Sequence, residues 1–323
     1  MAKILVAGKI PEIGLELLKD HDVEMYDKEE LISIDELTER VKDKDALLSL
    51  LSTKVPKEVI DAAPHLKIVA NYGAGYDNID YKYAGEKGIA VTNTPKVSTE
   101  ATAELTFALL LATARRIPEG DTLCRTTGFN GWAPLFFLGR EVHGKTIGII
   151  GLGEIGKAVA KRAKAFGMDV LYTGPNRKLE AESELGATYV MLEELLQTAD
   201  FITINCAYNP KLHHMIDEEQ FKMMKKTAYI VNASRGPIMN EAALAHALKT
   251  NEIEGAALDV FEFEPKITEE LKELKNVVLA PHVGNATFET RDAMAEMAVR
   301  NILAVLNGEE PVTPVNQKVL VTK

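Results

Sequence analysis

Three ionisable side chains with the properties needed to reduce a carbonyl group follow predicted β-strands in the second half of the chain. Arg235, Glu264 and His282 each come shortly after an apolar run of the strand type. The carboxyl ends of parallel strands are where open α/β sheets bind ligands. Histidine can donate a proton to a carbonyl oxygen, arginine can bind a carboxylate, and a carboxylate beside histidine favours the protonated ring. The set indicates reduction of a 2-keto acid, although His282 alone is equally compatible with a hydrogen-bonded structural histidine.

A glycine-rich turn in the middle of the chain could bind the cofactor that supplies the hydride. Residues 146–150 form a short apolar run, and Gly151-Leu152-Gly153-Glu154-Ile155-Gly156 follows in G-x-G-x-x-G order before a helical pattern that stops at Gly167. In this context the first glycine permits a tight turn, the second lets the backbone approach a pyrophosphate, and the third lets the helix pack on the strand. We therefore predict a dinucleotide site here.

The strand after this turn indicates which dinucleotide binds. NAD sites usually place an acidic residue at the end of this strand, about 20 residues beyond the glycines, where it bonds the adenosine ribose. Here the strand predicted at 169–173 ends in Thr173, Gly174, Asn176 and Arg177, without a carboxylate. The threonine, asparagine and arginine side chains could donate hydrogen bonds to a 2′-phosphate. The pattern favours NADP(H), with NAD(H) as the alternative if Arg177 is only a solvated loop charge.

Two alternating series of strands and helices must position these residues. The first hundred residues predict a small, doubly wound α/β domain. Its strands are predicted at 3–7, 23–26, 46–51, 67–71 and 89–92, and its helices at 10–19, 33–41 and 56–63. A larger series begins at Gly144, with strands predicted at 146–150, 169–173, 201–205, 228–232, 256–260 and 277–280 and helices at 192–198, 217–224, 241–249 and 289–306. Both series predict parallel sheets covered by helices.

The composition disfavours nucleic acid, membranes and metal ions as binding partners. The chain has 323 residues and a net charge of -11, which disfavours binding to nucleic acid or to an anionic membrane. No apolar stretch approaches the roughly 20 residues that a membrane span needs. Cys124 and Cys206 form no disulfide pattern and suggest a reducing, cytoplasmic environment. No Cys or His pair has zinc-ligand spacing, so we expect no metal, with His213-His214 at the surface.

Beyond these separate patterns, several motifs occur in the order of one known family. They are Gly139-Arg140-Glu141-Val142-His143-Gly144-Lys145-Thr146, the glycine fingerprint, Val231-Asn232-Ala233-Ser234-Arg235-Gly236, Ala257-Leu258-Asp259-Val260-Phe261 and Ala280-Pro281-His282-Val283-Gly284. On these motifs the chain resembles the D-isomer-specific 2-hydroxyacid dehydrogenases over essentially its whole length, most closely the glyoxylate/hydroxypyruvate reductase branch. We therefore predict a Rossmann cofactor domain, residues 99–287, inserted into a smaller flavodoxin-like substrate-binding domain made of residues 1–98 and 288–323.

The resemblance also implies roles for matching positions. Arg235 would clamp the substrate carboxylate and carbonyl, His282 would be the acid/base, and Glu264 would pair with His282. Ala74 and Gly75 lie in a glycine-rich stretch that is compatible locally with either a tight turn or an anion cradle. They match the family's backbone cradle for the substrate carboxylate.

The predicted cofactor contacts run along several strand ends. The set is Gly151, Leu152, Gly153, Glu154, Ile155, Gly156, Thr173, Gly174, Asn176, Arg177, Cys206, Ala233, Ser234, Arg235, Asp259, His282 and Gly284. Asp259 resembles the family's carboxylate near the nicotinamide. One departure is Ala207-Tyr208-Asn209, which stands where relatives often have Pro-Leu-Thr in a loop that borders the adenine.

Two further segments predict assembly into a homodimer. The helix predicted at 98–116 is apolar almost all round, and the stretch 131–138 concentrates aromatic residues, although both could simply pack against their own chain. Apolar patches of this kind mark contact sites. In the family resembled, this region forms the dimer interface and lends an aromatic residue to the neighbouring substrate pocket; Phe136 is the best match.

Other functions remain open at this stage. The substrate could instead be 2-ketogluconate or a branched 2-keto acid, because the pocket shape does not follow from the sequence. A nucleotide-sensing corepressor is a remote alternative, since such proteins share this fold and even the three catalytic residues, and fold alone does not establish function.

Overall fold

The structure is a computed structural model that describes residues 1–316, and it divides the chain into two compact units. The first unit comprises Met1–Ser98 and the segment that begins at Asn285, and the second comprises Thr99–Gly284. The second unit is therefore an insertion in the first. The domain limit predicted at 287/288 lies three residues beyond this division, and residues 317–323 of the predicted first domain lie outside the described residues.

The first unit contains a five-stranded parallel sheet with the order β2-β1-β3-β4-β5. Its strands are β1 (Lys3–Val6), β2 (Asp22–Met25), β3 (Ala46–Leu50), β4 (Ile68–Tyr72) and β5 (Ala90–Thr92), and its helices are α1 (Glu12–Leu17), α2 (Ile34–Arg40), α3 (Lys57–Asp61) and α4 (Tyr81–Glu86). This is the flavodoxin-like strand order. The central strands β3 and β4 are almost entirely buried because helices cover both faces of the sheet.

The second unit contains a seven-stranded parallel sheet. Its strands are β6 (Thr146–Ile150), β7 (Asp169–Thr173), β8 (Thr188–Tyr189), β9 (Phe201–Ile204), β10 (Tyr229–Asn232), β11 (Gly255–Leu258) and β12 (Val277–Leu279). Its helices are α5 (Thr99–Ala114), α6 (Ile117–Arg125), α7 (Glu154–Ala165), α8 (Leu179–Leu185), α9 (Leu192–Thr198), α10 (Glu218–Met223), α11 (Glu241–Lys249) and α12 (Glu269–Lys272). The order β12-β11-β10-β9-β6-β7-β8 reverses direction at β6, as in a Rossmann fold. The predicted fold class is confirmed.

The chain then returns to the first unit as α13 (Phe288–Leu306). Thr287 caps this helix by accepting a hydrogen bond from the N–H of Thr290. Met294, Ala298 and Ile302 on its apolar face join the core cluster formed by the first sheet. Among residues 1–316 no helix is long and apolar enough to cross a membrane.

The packing of the long helix α5 removes one of the two reasons for predicting a dimer. Most of its side chains, including Phe107 and Leu110, are buried within the second unit, where the helix contacts α7, β10 and β11. Its apolar character is thus explained by packing against its own chain. The stretch that remains exposed is 129–138, where Trp132 is 87% exposed.

Candidate active site

The predicted dinucleotide turn links β6 to α7. Gly151 has a φ of 98°, and a Cβ built there would lie 2.8 Å from the backbone of Cys206. A Cβ on Gly156 would lie 2.2 Å from the carbonyl oxygen of Gly151, so the helix can approach the turn only with glycine there. At Gly153 a Cβ would meet nothing within 4 Å. The turn is therefore closed against the protein on one side and open on the other.

The start of α7 fits the phosphates of a dinucleotide. Gly153 is the N-cap, and no side chain caps the helix. The first turn contains the N–H groups of Glu154, Ile155 and Gly156, and helix N-termini of this kind bind phosphate. Leu152 is buried and offers only its backbone. Nearby, Asn205 follows β9, and neither buried amide atom of its side chain has a hydrogen-bond partner among the described residues.

The end of β7 carries the residues predicted to distinguish the two cofactors. Thr173 accepts a hydrogen bond from the N–H of Gly151 at 2.9 Å, which joins this strand end to the glycine turn. A Cβ on Gly174 would meet nothing within 4 Å, and Asn176 is exposed. Arg177 is bound to Glu182, with 2.6 Å between Nη2 and Oε2. No carboxylate ends the strand, as the sequence indicates, but α8 brings one close to Arg177.

The loops that follow β9 and β10 are joined by a hydrogen bond between Ser234 and Cys206. The Ser234 hydroxyl donates a hydrogen bond to the carbonyl oxygen of Cys206, and burial raises the pKa of the Cys206 thiol to about 11. The turn at Ala233 and Ser234 is shaped by Asn232, which the sequence analysis did not single out as a site residue. Its amide donates to the carbonyl of Arg235 at 3.0 Å, and its oxygen accepts from Ser234 N–H at 3.1 Å.

His282 and Glu264 form a direct pair. Nδ1 of His282 lies 3.0 Å from Oε2 of Glu264, and Oε1 of Glu264 accepts a hydrogen bond from the N–H of Phe261 at 2.9 Å. Burial acts to raise the pKa of the Glu264 carboxyl, but the hydrogen bonds from His282 and Phe261 outweigh it and leave that pKa lowered. A proton on Nδ1, shared with Glu264, leaves Nε2 as the nitrogen available for proton transfer.

Arg235 belongs to the same electrostatic environment. Its positive charge contributes to the lowered pKa of Glu264, and its Nη1 donates to the carbonyl of Ser234 at 2.8 Å. The second unit thus brings together Arg235, Glu264 and His282 at the carboxyl ends of β10, β11 and β12. A fixed cation beside a histidine–carboxylate pair can bind an anionic substrate and exchange a proton with it.

Asp259 acts on the backbone around His282. It is 1% exposed, and its two oxygens accept hydrogen bonds from the N–H groups of Val283 at 2.7 Å and Gly284 at 2.8 Å. Burial raises the pKa of Asp259 despite these bonds. His282 itself has a φ of 55°, an uncommon conformation for this residue type. Asp259 therefore fixes the segment that carries His282, and its place near the nicotinamide, which the family resemblance implies, stays a prediction.

In the first unit, a network of amides shapes the turn that contains Ala74 and Gly75. Asn71 donates to the carbonyl of Gly75 at 2.6 Å, and Asn93 donates to the carbonyl of Ala74 at 2.7 Å. Asn78 in turn donates to the side-chain oxygen of Asn71 at 3.1 Å. These bonds fix the peptide planes of a half-buried turn, as an anion cradle requires. The sequence analysis did not single out these three supporting asparagines.

Phe136 lies in the exposed stretch 129–138. Its ring stacks on Phe129, with 6.3 Å between the ring centroids, and the side chain remains 45% exposed. A surface cavity of about 1290 Å³ in the same unit is lined by the neighbouring Phe137 and Leu138. It contains none of the predicted site residues.

One group of side chains among residues 1–316 could hold a metal ion, namely His213, His214 and Glu262. His213 is exposed as predicted, but His214 is partly buried, and its Nε2 lies 2.6 Å from Oε1 of Glu262. His214 and Glu262 therefore already bind each other through one atom of each side chain. The expectation of no metal stays a prediction.

Comparison with known proteins identifies the family. The family described as "D-isomer specific 2-hydroxyacid dehydrogenase, NAD binding domain" matches residues 107–284, more than half of the chain. The chain belongs to this family. It is an oxidoreductase family whose members act on small 2-hydroxy or 2-keto acids, and membership supports a nicotinamide cofactor.

Three individual proteins are similar to this chain over nearly their whole length. A protein from Staphylococcus aureus (strain MRSA252), provisionally named a 2-hydroxyacid dehydrogenase, is 67% identical over 317 residues, which cover 98% of this chain and 100% of that protein. The TT0316 protein of Thermus thermophilus is 40% identical with a TM-score of 0.91, covering 97% and 99% of the two chains. The NADPH-dependent glyoxylate/hydroxypyruvate reductase of Sinorhizobium meliloti, solved with NADP and malonate, is 34% identical with a TM-score of 0.83, covering 97% and 96%.

Proposed function

We propose that this dehydrogenase reduces a small 2-keto acid of the glyoxylate or hydroxypyruvate type to the D-2-hydroxy acid. The observation that carries the proposal is the pair of His282 and Glu264, 3.0 Å apart, with Arg235 in the same electrostatic environment. The similarity to a glyoxylate/hydroxypyruvate reductase supports this substrate class. NADP(H) is the favoured cofactor, because no carboxylate ends β7, and NAD(H) is the alternative.

Each site residue has a separate task in this reaction. When bound, the nicotinamide supplies the hydride that adds to the carbonyl carbon. Arg235 holds the substrate carboxylate and polarises the carbonyl, because its guanidinium can donate two parallel hydrogen bonds. His282 donates a proton to the carbonyl oxygen, which completes the hydroxyl group. Glu264 stabilises the protonated imidazole until that transfer, and the proton returns to His282 when the hydroxy acid is oxidised.

The chain's own backbone would hold the other parts of the ligands. The N–H groups of Glu154, Ile155 and Gly156, in the first turn of a helix that no side chain caps, suit a pyrophosphate. In the first unit, the N–H groups of Ala74 and Gly75 suit the substrate carboxylate. This assignment rests on the family motif and on the amide network around the turn.

We also propose a cytoplasmic homodimer. The exposed apolar stretch 129–138 is unusual for a monomer, and twofold dimers are the commonest assemblies. Phe136 would then reach the substrate pocket of the neighbouring subunit. Both cysteines are free, which is consistent with a reducing compartment.

A substrate panel tests the proposed reaction. Glyoxylate, hydroxypyruvate, 2-ketogluconate and a branched 2-keto acid are each assayed by loss of absorbance of NADPH and, separately, of NADH. We expect the highest kcat/KM with glyoxylate or hydroxypyruvate and NADPH. Preference for 2-ketogluconate would select the alternative dehydrogenase, whereas nucleotide binding without turnover on any acid would favour the corepressor.

A further inference from the structure

Arg177, the residue predicted to bind the 2′-phosphate of NADP(H), is held by a carboxylate. Its Nη2 lies 2.6 Å from Oε2 of Glu182, and its Nε lies 3.1 Å from Oε1. Two parallel hydrogen bonds of this kind are the strongest arrangement that arginine forms with a carboxylate. A phosphate that binds Arg177 must therefore compete with Glu182 for the same donors.

Glu182 is anchored on its other side. The hydroxyl of Tyr172, a fully buried residue of β7, donates to Oε1 of Glu182 at 2.6 Å and accepts from the N–H of Lys178 at 2.7 Å. The Glu182 side chain is 16% exposed, whereas that of Arg177 is 58% exposed. The carboxylate is thus the fixed member of the pair, and the guanidinium is the member that can move toward a ligand.

Glu182 is ionised at neutral pH, since hydrogen bonds from Arg177 and Tyr172 lower the pKa of its carboxyl. The pair then carries no net charge. A 2′-phosphate brings nearly two negative charges, so it is repelled by Glu182 while it is attracted by Arg177. The 2′-hydroxyl of NAD(H) carries no charge, so it is neither repelled by the charge of Glu182 nor attracted by that of Arg177.

We propose that Glu182 is a specificity-determining residue, which restrains Arg177 and thereby limits the preference for NADP(H) over NAD(H). The inference rests on the proposed function only for the location of the nucleotide. In this view, the missing strand-end carboxylate is partly replaced by one from α8. The preference for NADPH is then moderate, and the enzyme retains NADH as a usable cofactor.

Two nucleotides that differ only in the 2′-phosphate test this inference. Isothermal titration with 2′,5′-ADP and with 5′-AMP gives Kd values for the unaltered protein, Glu182→Gln and Arg177→Ala. Glutamine keeps an oxygen for the Tyr172 hydroxyl but has no charge. We expect Glu182→Gln to lower the Kd for 2′,5′-ADP about two- to fivefold, the usual worth of an exposed ion pair, and to leave that for 5′-AMP unchanged. The gain should shrink at high salt.

Two controls make the result specific. Glu180→Gln removes an equal charge from an exposed position of the same helix, and it should change neither Kd. Combining Glu182→Gln with Arg177→Ala should abolish the gain, because no guanidinium remains to be released. A higher or unchanged Kd for 2′,5′-ADP in folded Glu182→Gln would overturn the inference. A higher Kd would mean that Glu182 pre-orients Arg177 for phosphate, and an unchanged Kd would mean that Glu182 has no influence.

This binding experiment is independent of turnover. The proposed function fails if no 2-keto acid is reduced, yet the ratio of the two Kd values still judges the role of Glu182. If neither nucleotide binds the unaltered protein, the nucleotide site and the inference both fall.

Discussion

Oε2 of Glu264 lies 3.0 Å from Nδ1 of His282, while Oε1 of the same carboxylate accepts the N–H of Phe261 at 2.9 Å. Both oxygens are therefore used, and the carboxylate cannot rotate away from the imidazole without losing a second bond. The ring is oriented from one side by Glu264, and its backbone is fixed by the bonds from Val283 and Gly284 to Asp259. Pre-orientation of this kind is what proton transfer in a small site requires.

His282→Ala should remove the general acid. We expect kcat for keto acid reduction to fall about 100- to 10,000-fold, the usual worth of a positioned acid, with little change in nucleotide affinity. Steady-state kinetics with NADPH measures the first quantity, and isothermal titration measures the second. His65→Ala, at an exposed histidine of the first unit, is the matched control. Near-normal turnover in His282→Ala would show that another group donates the proton.

Glu264→Gln should change how the rate depends on pH. Without the carboxylate charge the protonated imidazole is less favoured, so the alkaline limb of the kcat/KM profile for reduction should move to lower pH. Glu270→Gln, at an exposed position, controls for loss of one charge. A profile for Glu264→Gln that falls at the same pH as that of the unaltered enzyme would contradict the pairing.

Glu264→Gln should also change how the free energy of unfolding depends on pH. The pKa of Glu264 is lower in the folded protein than its ordinary value of 4.5, because the His282 and Phe261 hydrogen bonds outweigh burial. The stabilisation is therefore present above that ordinary value and is lost as the pH falls through the folded-state pKa. Urea unfolding should show that the free energies of unfolding of the unaltered protein and Glu264→Gln differ more at pH 7 than at pH 3.

Much of this architecture follows from patterns in the sequence. β6 and β7 have the predicted bounds, because both contain the apolar residues typical of a strand and a glycine, Gly151 or Gly174, directly follows each of them. The helix α11 likewise matches, since its N-cap Asn240 and apolar spacing are local signals. Short elements such as α4 and β8 were not predicted, because so few residues show no clear periodicity.

The supporting contacts of the site could not be predicted. Glu182 contacts Arg177 only because α8 forms, and that helix has no regular apolar face. The sequence shows that residues 71 and 232 are asparagines, but the hydrogen-bond partners of Asn71 and Asn232 depend on the tertiary fold. The direction of Asp259 toward the backbone has the same origin. Strand ends thus indicate where a site lies, whereas the hydrogen bonds that orient it depend on packing.

The two cysteines should differ in reactivity. Burial raises the pKa of Cys206 to about 11, so the reactive thiolate is disfavoured at pH 8, whereas Cys124 is exposed. Mass spectrometry after brief treatment with iodoacetamide should find Cys124 modified well before Cys206. In Cys124→Ser, the remaining thiol should react quickly only after unfolding in urea. Equal rates in the folded protein would place Cys206 in a more open site.

The exposed stretch 129–138 predicts both an assembly and a long-range effect on catalysis. Light scattering should give twice the chain mass of 35.5 kDa at micromolar concentration, because an apolar surface of this kind favours a twofold partner. If Phe136 completes the neighbouring pocket, Phe136→Ala should raise KM for the keto acid while the KM for NADPH stays the same.

Phe288→Ala is the control for that variant, because it removes another exposed phenylalanine ring, which lies on α13 of the first unit. It should change neither the mass nor either KM. A monomeric unaltered protein would exclude the assembly and, with it, a pocket shared between subunits. A dimeric Phe136→Ala protein with unchanged KM would leave the dimer intact and remove only the pocket role, since the stacking of Phe136 on Phe129 would then serve the interface alone.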